Sequence, residues 1–317
     1  MKRFSIITGF LGSGKTTLLN RLLRHPAMTA TAVIINELGE VGIDHLIVDE
    51  FDDDIVLLES GCVCCTVRDD LTTSLLGLYE RSRRGEIPPF ESAVLETTGI
   101  ADPGAILQLL MADTDICRRY RFATVATVVD ACHASDNLAQ IPEARRQVLL
   151  ADRLLLSKLD QVDDGRRDRL RETLQRLNPQ APCFVASRVT PDQLFPQTAM
   201  RPPVMAAESV THGGRFGAFH VGWTAPVDLD AVVTWAEGLL SARGDDLFRI
   251  KAVLNVTGDD RPVLLQTVQH SAYPPQHLSA WPAAAPRSDV VMIAQNFSAR
   301  AARASLEPFV PLGGDGT

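Results

Sequence analysis

From residue 4 to about residue 190, short apolar runs rich in β-branched residues alternate with longer stretches whose apolar residues recur every three or four positions. That alternation predicts a parallel sheet covered by helices, because parallel strands are buried on both faces and each crossover needs a helix. The predicted strands are 4–8, 32–36, 55–58, 92–96, 123–129, 152–157 and 182–186. Between them, Leu18, Leu19, Leu22 and Leu23 line one face of a helix over 15–24, and Pro103 opens another that runs to Met111.

The pattern breaks over 190–204, where Pro191, Pro196, Pro202 and Pro203 mark a linker. Beyond it, 216–223 reads as a strand. Asp228 then caps a helix with an apolar stripe of Leu229, Val232, Val233, Ala236, Leu239 and Leu240. Strand-like runs follow at 247–256, 263–270 and 289–297, and the turn Thr257-Gly258-Asp259-Asp260 joins the first two as a hairpin. The expected organisation is an α/β domain over 1–195, a smaller α+β domain with a mostly antiparallel sheet over 205–310, and a disordered tail over 311–317 that contains three glycines.

Composition narrows the class. With 45% hydrophobic and 22% charged residues the chain is an ordinary globular protein, and no apolar run is long enough to span a bilayer. Lys2, Arg3 and the apolar stretch after them imitate a signal peptide, but that stretch is short and runs directly into Gly12-Ser13-Gly14-Lys15, so it is a first buried strand. The expected compartment is the reducing cytoplasm, where the six cysteines are thiols. Cys117, Cys132 and Cys183 stand alone, and core packing is their expected role. A formal net charge of -8 argues against nucleic acid as the main partner, and Arg81 to Arg84 and Arg166 to Arg171 read as solvated helix faces.

Gly9-Phe10-Leu11-Gly12-Ser13-Gly14-Lys15-Thr16 satisfies the whole phosphate-loop pattern, after a strand and at the start of a helix. Gly9, Gly12 and Gly14 let the backbone curl so that its N–H groups, with Ser13 and Thr17 in the same turn, face the phosphates. Lys15 reaches the β and γ oxygens, and Thr16 binds Mg²⁺. The strand Ala93-Val94-Leu95 then ends in Glu96-Thr97-Thr98-Gly99, as expected of a second magnesium and γ-phosphate element. Glu96 takes the place of the usual Asp, and the Gly99 N–H is placed to contact the γ-phosphate.

Ser157-Lys158-Leu159-Asp160, after an apolar strand, resembles the guanine-reading motif of regulatory GTPases. The resemblance implies that Asp160 accepts from guanine N1–H and its amino group while the stem of Lys158 lies along the base. A carboxylate acceptor meets the wrong pattern on adenine, so such a site discriminates. Ser157 stands in place of the commoner Asn. Ala186-Ser187 after the next strand resembles the last guanine-contacting loop of that fold and puts Ser187 at the base.

Gly61-Cys62-Val63-Cys64-Cys65 offers two or three thiolates to one ion. Cys62 and Cys64 project the same way if the segment is extended, and Cys65 joins them only if the backbone bends at Gly61. Three ligands leave a coordination position open, which describes an exchangeable site rather than a closed structural one. Redox chemistry at the Cys-Cys pair is the alternative. Thiolates favour Zn²⁺ or Cu⁺ and do not exclude Co²⁺, so zinc is the preferred ion.

The phosphate loop, Asn36 to Asp44, the Cys-x-Cys-Cys segment, Glu96 to Pro103 and Ser157 to Asp160 together resemble, in order and spacing, the CobW-like P-loop GTPases. The likeness spans the GTPase half and, more loosely, the C-terminal half. There Leu247 to Lys251 looks like the family's second-domain segment, with Ala252 where the family usually has glycine. It implies a GTP- and Mg²⁺-dependent metallochaperone or metal insertase with Cys62, Cys64 and Cys65 as ligands and Glu37 and Glu40 in the nearby switch. The implied cargo is zinc, cobalt or another transition metal, the expected client is a metalloprotein docked by the second domain, and a homodimer is allowed. Two departures stand out. Ile35 sits where some relatives have an acidic residue, and no His-rich tract follows residue 200, so one metal site or few are expected; His212 and His220 read as ordinary histidines. Slow intrinsic hydrolysis is expected, since no cis arginine finger is evident and Ile100 follows Gly99 where some GTPases have a water-positioning Gln. The rivals are a small-molecule P-loop kinase, which leaves the Lys-x-Asp and Cys segments unexplained, and a nonenzymatic metal buffer or sensor.

Overall fold

The structure, a computed structural model, describes residues 1–35, 47–52, 55–58, 63–66, 71–195, 216–281 and 285–312. Contacts divide the chain into one unit from Met1–Arg171 and Ala181–Pro196 and another from Glu172–Gln180 and Gln197–Thr317. Among the described residues no helix is long and apolar enough to cross a membrane.

The first unit is built on a nine-stranded sheet. Its strands are β1 (Lys2–Thr8), β2 (Thr31–Ile35), β3 (Ile47–Asp52), β4 (Ile55–Leu58), β5 (Val63–Thr66), β6 (Ser92–Glu96), β7 (Tyr120–Asp130), β8 (Arg153–Ser157) and β9 (Cys183–Val185). They lie in the order β3-β4-β5-β2-β6-β1-β7-β8-β9. From β5 through β9 every neighbouring pair is parallel, and β3 and β4 extend that sheet as antiparallel strands. The chain goes from β1 toward β2 on one side and later to β7 on the other, so the carboxyl end of β1 is a switch point of the kind where α/β sheets bind ligands.

Helices α1 (Lys15–Leu23), α2 (Leu71–Arg84), α3 (Pro103–Ala112), α4 (Thr114–Arg119), α5 (Ala134–Gln140), α6 (Pro142–Leu149), α7 (Asp164–Leu177) and α8 (Pro191–Leu194) connect the strands. The predicted leucine face of α1 packs on the sheet. Leu18, Leu19, Leu22 and Leu23 join Ile7, Val33, Val94, Val128 and Leu155 in one buried cluster. Burial of one such side chain is worth about 1.5–3 kcal/mol, so this face holds the helix N-terminus firmly at the end of β1.

β3 and β5 fall outside the expected strand set. β3 carries three acids in six residues and has a neighbour on one side only among the described residues, and β5 is a four-residue run with two cysteines, so neither has the apolar signature of a central strand. β7 starts at Tyr120 rather than 123, because Tyr120 pairs with Lys2 beside β1. Pro191 opens α8 instead of a linker; the remainder of 190–204 from Pro196 onward, position 36 and the tail from 313 lie outside the described residues.

The second unit carries an antiparallel sheet of β10 (Phe216–Trp223), β11 (Leu247–Leu254), β12 (Val263–Val268), β13 (Ser271–Ala272), β14 (Gln276–His277) and β15 (Ser288–Gln295). The order is β10-β15-β11-β12-β13, with β14 also on β12. Helices α9 (Leu229–Arg243) and α10 (Ala299–Leu306) contribute Val232, Trp235 and Leu306 to a core with Phe219, Ile250 and Met292. Asp228 caps α9 by accepting from the Asp230 N–H at 2.8 Å, and Gly258, at φ 82°, turns the β11–β12 hairpin, both as expected. α10, β13 and β14 have no counterpart in the sequence pattern, being short and weakly apolar.

Phe219 is 1% exposed, and its ring meets Phe297 edge-on at a centroid distance of 6.0 Å. The three tryptophans, Trp223, Trp235 and Trp281, all belong to the second unit, so their fluorescence reports on it selectively. Phe219→Ala is expected to lower stability in urea, followed by tryptophan fluorescence, by about 3–5 kcal/mol. A loss below about 1 kcal/mol would contradict this core assignment.

Candidate functional site

The phosphate loop is a backbone structure that only its glycines permit. Gly9, Gly12 and Gly14 have φ of 146°, 69° and 93°. A Cβ on Gly9 would stand 2.3 Å from the Val128 carbonyl oxygen, so the loop lies directly on β7. Gly14 is the N-cap of α1 and no side chain caps it, which leaves the first-turn N–H groups to an anion. Lys15 is buried, its Nζ donating to the Gly9 carbonyl at 3.1 Å across the curl of the loop. The Ser13 hydroxyl is buried and has no hydrogen-bond partner among the described residues.

Thr16 Oγ1 donates to Glu96 Oε1 at 2.6 Å, joining the loop to the end of β6. Glu96 is fully buried, and the neighbouring Thr97 is fixed by its N–H to Ile7 O at 3.0 Å and its hydroxyl to Thr8 Oγ1 at 2.9 Å. A buried hydroxyl–carboxylate pair is a set of hard oxygen donors, which fits Mg²⁺. Gly99 approaches the loop so closely that a Cβ there would stand 2.6 Å from the Leu11 nitrogen. The same stretch is tied to α6: Gln147 Nε2 donates to the Gly99 and Ala101 carbonyls, and Arg146 Nη1 donates to Asp102 Oδ2 at 3.0 Å. Asp102 Oδ1 caps α3 through Gly104 N–H.

A cavity of about 640 Å³ opens beside the loop, lined among others by Ser13, Gly14, Thr17, Lys158, Asp160 and Ser187. The structure therefore brings the phosphate-loop and guanine-motif residues to one space. Ser157 Oγ donates to the Ser13 carbonyl at 2.7 Å, a direct tie between the two motifs. Lys158 has φ 54°, and its Nζ pairs with Asp130 Oδ2 at 2.7 Å. Asp160 and Ser187 are exposed on the cavity wall, and Arg21 Nη2 fixes the turn carrying Ser187 by donating to Ala186 O at 2.8 Å and Val189 O at 2.7 Å.

Two expectations need correction. Arg167 and Arg171 are more than a solvated face, for they also line the cavity, where Arg167 donates to Leu159 O. Cys117, Cys132 and Cys183 are half-buried rather than core residues, with Cys132 Sγ 3.5 Å from Gln161 Oε1. Burial raises the thiol pKa of Cys117 and Cys183.

Cys64 and Cys65 lie on β5, within a strand rather than a free loop. In the register, Cys65 pairs with Ile34, which pairs with Leu95, and Thr66 pairs with Ile35, which pairs with Glu96. Cys62, Glu37 and Glu40 lie outside the described residues.

Residues 3–185 match the model of the CobW/HypB/UreG nucleotide-binding domain, and residues 216–310 match the cobalamin synthesis protein cobW C-terminal domain. The chain belongs to the CobW family. Among CobW-family relatives, the zinc chaperone YjiA of Escherichia coli is 34% identical over 301 residues, covering 91% of this chain and 92% of its own. The crystal structure of Zn(II)-bound YjiA GTPase superposes with a TM-score of 0.75 at 31% identity, covering 98% of this chain and 99% of that one. The zinc-regulated GTPase metalloprotein activator 1 of Schizosaccharomyces pombe is 32% identical over 182 residues, 55% of this chain and 43% of its own. The CobW-type fold expected from the sequence, a P-loop α/β domain followed by an α+β domain, is the one observed.

Asp130, Arg21 and Gln147 escaped the motif reading of this CobW-family chain. Only Asp130 left a signal, as a carboxylate ending a long apolar strand just as Glu96 does. Burial would raise its pKa, but hydrogen bonds from Lys158, His133 and the Cys132 N–H, with the Lys158 charge, hold it below the usual carboxylate range. A depressed folded pKa stabilises above the unfolded value of about 3.9, and that contribution disappears as pH falls through the folded value. Thermal melts of the wild type should therefore fall more steeply than those of Asp130→Asn as pH drops below about 4. Parallel pH curves for the two proteins would refute the ion pair.

Proposed function

We propose that the chain is a GTP-binding and GTP-hydrolysing metallochaperone. A transition metal is held at Cys62, Cys64 and Cys65, with Glu37 and Glu40 nearby, and is passed to a client metalloprotein under control of the nucleotide state. Zinc is the preferred cargo, in keeping with relatives named zinc chaperones, and cobalt is the alternative. The observation that carries this reading is the shared register through Ile35, which pairs with Glu96 on one side and with Thr66, next to Cys65, on the other. Two strand spacings, about 10 Å, thus separate the backbone of the carboxylate that meets Thr16 from the backbone of the cysteine strand.

In this mechanism the N–H groups of Gly9 to Thr17 hold the phosphates, and Lys15 neutralises the β and γ oxygens. Thr16 and Glu96 would hold Mg²⁺, which would offset the charge that develops on the phosphoryl oxygens. Glu96 either meets the magnesium through a water or orients the attacking water. The Gly99 N–H distinguishes a γ-phosphate from its absence. Asp160, Lys158 and Ser187 select guanine. GTP orders 37–44 and 96–99 so that the thiolates converge on the ion, and hydrolysis relaxes them. The nucleotide domain spans 1–195, and the domain over 205–310 docks the client.

Purified protein should hydrolyse GTP slowly, on the order of 10⁻³ to 10⁻² s⁻¹, in a Mg²⁺-dependent manner that Thr16→Ala abolishes. It should bind zinc with an affinity that Cys64→Ala lowers by about tenfold or more while GTP affinity in zinc-free buffer containing Mg²⁺ stays unchanged. Phosphate release and competition with a chromophoric chelator measure the two. Unaltered zinc affinity in Cys64→Ala, or ATP turnover equal to that of GTP, would defeat the proposal.

A further inference from the structure

The connection from β6 to α3 carries Gly99, the group assigned above to the γ-phosphate, and residues 97–102 have neither helical nor strand pairing to hold them. Thr97 is tied to Ile7 and Thr8 and Asp102 to Arg146, while the turn between them, closed by Ala101 N–H on Thr98 O at 3.2 Å, is held from outside by a side chain from α6. Gln147 is 1% exposed, and its Nε2 donates to Gly99 O at 3.1 Å and Ala101 O at 3.0 Å. A buried amide is costly unless its donors are paired, and this one spends its donors on two carbonyls of a single loop.

Gln147 is itself fixed. Its main-chain carbonyl accepts from Thr127 Oγ1 at 2.7 Å, and Thr127 lies on β7, a central strand beside β1. On its other side Gly99 rests against the Leu11 backbone, with room for no Cβ. Gly99 is therefore held between the phosphate-loop backbone and an amide anchored to the sheet. At N···O distances already near 3.0 Å, a shift of the loop of about 1 Å breaks at least one of the two bonds.

We infer that Gln147 is a positioning residue for the terminal phosphate: by fixing the Gly99 and Ala101 carbonyls it sets where the Gly99 N–H points and so sets the preference for GTP over GDP. The inference rests on the reading of the chain as a GTPase. It touches only nucleotides that carry a γ-phosphate, because the β-phosphate is met by the phosphate loop, which Gln147 does not contact through any bond observed here.

The test is calorimetric titration of GDP and of a nonhydrolysable GTP analogue, with Mg²⁺, into wild type, Gln147→Met and Gln147→Asn. Met keeps the length and removes both donors; Asn keeps the amide but is one methylene too short to reach. Thermal melts identify folded variants, and the Asn variant carries the test if the Met variant does not fold. Affinity for the GTP analogue should fall about tenfold or more in both, with GDP affinity within about twofold of wild type. Equal losses for the two nucleotides, or no loss for either, would overturn the assignment as a general packing effect. A wild type that binds neither guanine nucleotide would overturn it together with the GTPase reading on which it rests.

Discussion

The hydrogen bond from Thr16 to Glu96 links the first turn of α1 to the end of β6, and the remainder of the site is arranged around it. A carboxylate as deeply buried as Glu96 is tolerable only where hydrogen bonds or cations meet it. The sheet order provides that setting by placing β6 directly beside β1, so the carboxylate emerges next to the loop that follows β1. The leucine face of α1, packed on the same sheet, keeps Thr16 at that point. On one flank Ser157 ties the base motif to Ser13, and on the other Gly99 closes against Leu11.

Much of this was legible in the sequence because it is local. The phosphate loop is eight consecutive residues whose glycines have one geometric reason, and Glu96 ends an apolar strand where the mechanism needs a carboxylate. The alternation of strands and helices carried the parallel sheet, and Asp228 with Gly258 carried the helix start and the hairpin of the second unit. What escaped is non-local. Asp130 becomes meaningful only when Lys158, 28 positions away, folds onto it; Gln147 reaches carbonyls 46 and 48 positions away; and Arg21 meets carbonyls 165 and 168 positions away. No periodicity encodes such pairs. β5 escaped for another reason, since four residues containing two cysteines carry a chemical signal that obscures a strand signal.

Placing Cys64 and Cys65 on a strand changes the physical picture of how metal and nucleotide would communicate. A loop transmits displacement poorly, whereas β5, β2 and β6 are joined by continuous ladder hydrogen bonds, so a shift at Glu96 has a stiff path to the cysteine strand. The second unit keeps its own core and its own sheet, and residues 216–310 match the cobW C-terminal domain as a domain of their own.

On the proposed reading, thiolate-bound metal and triphosphate feel each other's occupancy. Coupling of this kind is reciprocal by thermodynamic necessity, so the direct measurement is a closed binding cycle: zinc affinity with GDP and with a nonhydrolysable GTP analogue, and affinity for those nucleotides with and without zinc. The factor by which the analogue, relative to GDP, changes zinc affinity should equal the factor by which zinc changes the preference for the analogue over GDP, at about fivefold or more. Zinc affinities that are identical in the two nucleotide states would contradict it.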